Sequence, residues 1–147
     1  MGLRLHHFLV AGLVLLVVAR ADVKPAVKQF PLDERVVYEI PISTDAPTTL
    51  MFPSALTAIE AANVSADPGM PAPVLLAYTA GRTFFSVRAL EPDARAAVNV
   101  VWKNKTYVLR FAVGEEPYGS VTFYEDELAG RGLSLQRRVT PEVLLGL

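Results

Sequence analysis

Carboxylates gather at two places in this chain, Glu115–Glu116 and Glu125–Asp126–Glu127, on either side of an apolar stretch that ends at Tyr124. A pair of carboxylates can divide the acid and base roles of glycoside hydrolysis, and a cluster can hold calcium through oxygen ligands. The spacing here matches no calcium loop, and adjacent residues of an extended chain point to opposite sides. These acids therefore read as a solvated rim. Ser-Lys hydrolysis would draw Ser54 together with Lys28, Lys103 or Lys105, but no S-x-x-K spacing is present.

The side chains most often used as base, nucleophile or metal ligand are scarce. There is no cysteine, and the two histidines are His6 and His7. Both fall in a segment with the marks of a secretory signal: Arg4 at its start, the apolar run Phe8 to Val18, and Ala19-Arg20-Ala21 flanking a cleavage point. The rival reading, a membrane anchor, needs about 20 apolar residues to span a bilayer as a helix, and this run is shorter. Cleavage would leave Asp22 first and a mature chain with neither His nor Cys. Histidine-based nucleophile systems and ordinary zinc sites are then closed. We expect no catalytic residue, no cofactor and no metal.

Of the 14 basic residues, Arg4 and Arg20 lie in the signal, so residues 22–147 carry 12 basic against 15 acidic side chains. That is one domain's length, enough to bury a core without staples. Its charge is mildly acidic and its cations are scattered, which points away from nucleic acid. A cysteine-free exported chain fits a bacterial periplasm, with secretion as the alternative, and a membrane is met only through the signal before cleavage.

The elements that would position any site are strands. Residues 22–34, punctuated by Pro25 and Pro31, read as an extended N-terminal arm. RVVYEI, TTLMF, VLLAYTA, TFFSVRAL, AAVNVVW, KTYVLRFAV and GSVTFYE then follow as short strands between turn signals. SALTAIEAANV allows helix or strand, and strand fits better. Residues 128–147 form a tail in which Thr140, Pro141 and Glu142 start a short helix. The expected architecture is all-β: an immunoglobulin-like β-sandwich of about seven or eight short antiparallel strands over residues 35–127, with a signal helix at 1–21 and the helical segment near the C-terminus.

Within NVVWKNKTYVLRF, Val98, Val100 and Trp102 share one face of a first strand and Tyr107, Leu109 and Phe111 one face of a second, with Lys103 to Lys105 at the tip. Phe84, Phe85, Trp102, Tyr107 and Phe111 could make an aromatic platform for a sugar or peptide, yet their strand positions favour the core. Phe84 is opposite in phase to Phe85 and is expected to face outward. Asn63-Val64-Ser65 and Asn104-Lys105-Thr106 satisfy the N-glycosylation pattern, a short motif with meaning only in a eukaryotic secretory pathway.

VVYEI, the Thr49 to Pro53 strand end, the pair Leu56 and Ile59, FFSVRAL, the hairpin with Asn99, Tyr107, Leu109 and Phe111, and the closing VTFY together resemble the N-terminal domain of the TrbG/CagX family. These are periplasmic core subunits of bacterial type IV secretion and conjugation systems. The likeness spans about Val36 to Tyr124, and family members continue into a second β-domain. It implies a non-enzymatic structural component or adaptor of an envelope-spanning apparatus, working by protein-protein contacts with envelope subunits or with copies of itself. The contact residues expected are Phe84, Arg88 and Arg110 on outward faces, with Val143, Leu144 and Leu145 in the tail. A carbohydrate- or peptide-binding module is the alternative.

Overall fold

The computed structural model describes residues 26–127. The expected signal at 1–21 and the expected helical segment with Val143, Leu144 and Leu145 lie outside the described residues. Strand alternation accounts for the clearest elements. Along β8 (Arg95–Trp102) and β9 (Lys105–Val113), Val98, Val100, Trp102, Tyr107, Leu109 and Phe111 are all buried. The strands join through a two-residue turn in which Lys103 and Asn104 have φ of 48° and 60°. Positive φ at both central positions is the type I′ geometry, whose twist matches that of the strands it joins.

Eight further strands complete the fold: β1 (Ala26–Pro31), β2 (Val37–Ile42), β3 (Thr48–Met51), β4 (Ala58–Ala62), β5 (Val64–Ser65), β6 (Val74–Tyr78), β7 (Phe84–Ala89) and β10 (Tyr118–Tyr124). They form a six-stranded sheet in the order β1-β10-β3-β7-β6-β5 and a four-stranded sheet in the order β2-β9-β8-β4. Consecutive strands change sheets at both flanks. The edge strands β1 and β2 are joined through residues 32–36, and the opposite edges β4 and β5 through Asn63, itself at φ 62°.

The described residues are all-β as expected, but they hold ten strands rather than seven or eight, and both sheets are mixed rather than antiparallel. β1 with β10, β10 with β3, β2 with β9 and β5 with β6 run parallel. Alternating burial assigns faces and is the same for either direction. Direction follows from which strands the connections bring together, and three of these four parallel pairs join strands far apart in the chain. The added strands come from the arm, where residues 26–31 pair along β10, and from the ambiguous stretch that divides into β4 and β5.

Both sheets turn their inward faces to one core. Tyr38 of β2 meets Phe123 of β10 edge-on at 5.1 Å between ring centres, and Phe52 reaches Phe123 at 4.7 Å and Tyr107 at 6.5 Å. Polar groups at the core margin are paired, as burial requires. The Tyr38 hydroxyl donates to the Pro31 carbonyl at 2.6 Å and accepts from the Asp33 N–H at 2.8 Å, fixing the crossing from β1 to β2. The Trp102 indole N–H donates to Ser54 Oγ at 2.9 Å, and buried Thr48 donates through Oγ1 to the Tyr118 carbonyl.

Candidate protein-contact surface

The tip of the β8–β9 hairpin sits at a cleft of about 690 Å³ between the β1–β2 crossing and the end of β10. Lys103 binds Glu125 at 2.9 Å, and Lys105 reaches Glu34 at 3.7 Å, so the tip is tied to both walls. Lys103 Nζ also lies 4.7 Å from the centre of the Trp102 ring. On the wall, Asp33 accepts three hydrogen bonds from Arg35, from its backbone N–H, its Nε and its Nη2, each at 2.9 Å. The Arg35 side chain holds the Asp33 carboxyl down at about 2. Burial pushes the Tyr107 hydroxyl up, with Glu34 adding to the effect.

The acids of this cleft are held by cations rather than set against one another. Asp33, Glu34 and Glu125 each pair with a lysine or arginine, while Asp126 and Glu127 complete the wall. Glu115 and Glu116 precede β10, and Glu125 follows it. The rise of that strand separates the two acidic groups by about 20 Å, well beyond the roughly 5 to 10 Å that glycosidase carboxylates span. Of the five aromatic residues that could form a platform, Phe85, Trp102, Tyr107 and Phe111 are buried, leaving Phe84 at 41% exposure.

The outward face of the six-stranded sheet has a different chemistry. In its outward positions Met51 pairs with Phe84 across β3 and β7, and Met51 also neighbours Thr122 of β10. The row beside it is Val27, Ser120, Thr49, Ser86 and Ala77. Val27, Met51, Phe84 and Tyr124 are large apolar side chains exposed on this face. Among the described residues, Arg88 carries the one charge of its outward strand positions. The four-stranded sheet turns Glu39, Glu60, Arg95 and Arg110 outward instead.

The structure thus brings two of the expected contact residues together and leaves a third apart. Phe84 and half-buried Arg88 share one face of β7, whereas Arg110 stands on the other sheet and faces Glu39 at 3.6 Å. Reading the residues missed Met51, Tyr124 and Val27. The first two alternate with buried Leu50 and Phe123, a signal present in the sequence, but their meeting on one face depends on the sheet order. Compared with models of known protein families and with curated proteins, the chain matches none.

Proposed function

We propose that this chain is an exported, non-catalytic, immunoglobulin-like β-sandwich that serves as a structural component or adaptor of a bacterial envelope-spanning secretion or conjugation apparatus, as the TrbG/CagX resemblance implies. The observation that carries the protein-contact part of the reading is the charge-poor outward face of the six-stranded sheet, where Val27, Met51, Phe84 and Tyr124 stand exposed. Exposed apolar groups that recur on one face, poor in charge, are what a protein partner covers. The secretory signal and the lack of His and Cys after residue 21 agree with an exported, non-enzymatic role. The rival carbohydrate or peptide module draws little support, because four of the five aromatics it would use are buried.

Crosslinking in the native envelope followed by mass spectrometry tests the reading. Secretion or pilus subunits are expected with the wild-type chain and are expected to be lost on Met51→Asp with Phe84→Asp, two surface changes that leave the core intact. Equal recovery with the double variant, or no envelope subunit at all, would sink it.

A further inference from the structure

We infer that a trough over β6 and β7 is the docking site for an extended, acidic segment of a partner protein. The inference rests on the protein-contact reading above and gives the chemistry of what docks. Ala77 and Ser86, paired across the two strands, line two hollows on the outward face. One, of about 490 Å³, is bounded by Arg82 and Phe84. The other, of about 190 Å³, is bounded by Arg88, Leu75 and Pro47. Because they share a floor of two small side chains, they make one shallow track with an arginine at each end.

Charge decides what this track takes. Arg35, Lys103, Lys105 and Arg110 each have a carboxylate within 4 Å, whereas among the described residues Lys28, Arg82, Arg88 and Arg95 have neither an ion pair nor a side-chain hydrogen bond, and of these Arg82 and Arg88 line the trough. Asp45, the acid lining the Arg88 end, takes a hydrogen bond from the Thr44 hydroxyl at 3.2 Å. Guanidinium groups offer a planar fork that fits carboxylates. Arg82, in the turn before β7, and Arg88, within it, stand six residues apart, at most on the order of 20 Å. An extended peptide with acids at i and i+6 places both on the same face at that separation, with the residues between lying over Ala77, Ser86 and Phe84. A nucleic-acid strand fits poorly, since its charges repeat every few ångströms and the middle of the track is uncharged.

The test uses the whole chain and fluorescence anisotropy of a labelled peptide, Glu-Ala-Val-Ser-Ala-Val-Glu, with a Gln-for-Glu version as control. The acidic peptide is expected to bind at least tenfold tighter than the amide version and to weaken with salt. Arg82→Gln with Arg88→Gln is expected to remove that difference, and Ala77→Trp to block both peptides, with thermal midpoints unchanged. Equal binding of the two peptides, or no anisotropy change at about 1 mM peptide, would overturn the inference. So would self-association of the chain that Ala77→Trp abolishes and the arginine changes do not, which would assign the face to a second copy. If envelope subunits still crosslink through Met51 and Phe84 while the peptides fail, only this inference falls.

Discussion

At the scale of single residues, three hydrogen bonds from Arg35 stabilise the ionised form of Asp33, which holds its carboxyl at about 2 against an ordinary 3.8. A carboxyl depressed on folding adds stability that is complete above its unfolded value and is lost as the pH falls through the folded one. The contribution of this pair is therefore present above about pH 4, declines as the pH falls toward 2, and is gone only below that. Carboxyl-carbon NMR should find Asp33 titrating at about 2 and, in Arg35→Met, raised from there but still below 3.8, because the backbone N–H of residue 35 still donates to it; a wild-type value near 3.8 would mean that the pair does not persist in solution. Gly114 offers a steric test. A methyl group there would stand 2.8 Å from Pro41 Cβ, where strand β2 passes the end of β9. Gly114→Ala is expected to cost about 1 to 3 kcal/mol in urea unfolding, the usual range for overpacking.

At the scale of the element, the β8–β9 hairpin is scaffold with a tethered tip. Its ion pairs join side chains that are half exposed, so each contributes less than about 1 kcal/mol. The core residues on its inward faces hold it in place. The turn itself makes a demand, since Asn tolerates the left-handed conformation and β-branched residues do not. Asn104→Gly should leave the urea midpoint unchanged or slightly raised, and Asn104→Val should cost about 1 to 3 kcal/mol. Strand β7 gives a contrast between neighbours: Phe85→Ala should cost about 3 to 5 kcal/mol, while Phe84→Ala, on the opposite face, should stay within about 0.5. Such contrasts are legible in sequence because the period of a strand is two, and the faces of β7, β8 and β9 follow from it directly. Strand direction and sheet order do not follow, because a parallel and an antiparallel neighbour bury the same alternate residues. For the same reason Phe84 could be read as outward, but its meeting with Met51 could not.

At the scale of the whole molecule, the unexpected part is the flank closed by β1 and β2. Lys28, Gln29 and Pro31 give residues 26–31 the composition of an arm, and Val27 is 73% exposed. The alternation there is too short and polar to announce a strand. Yet β1 pairs along β10 in parallel, and Phe30 packs against Tyr38, Tyr118 and Phe123 at 5.8 to 6.3 Å between ring centres. Those partners come from both sheets, so Phe30 caps the core where the chain crosses from one sheet to the other. Removing β1 would uncover the edge of β10 together with the ring of Phe123, leaving an unpaired strand beside an apolar gap. Phe30→Ala should therefore lower stability by about 2 kcal/mol, less than for a fully buried phenylalanine because Phe30 is only partly covered. Deletion of residues 1–31 should lower the thermal midpoint further and raise the binding of an apolar dye. An unchanged midpoint in both variants would return residues 26–31 to the status of an arm, and the six-stranded sheet would then end at β10.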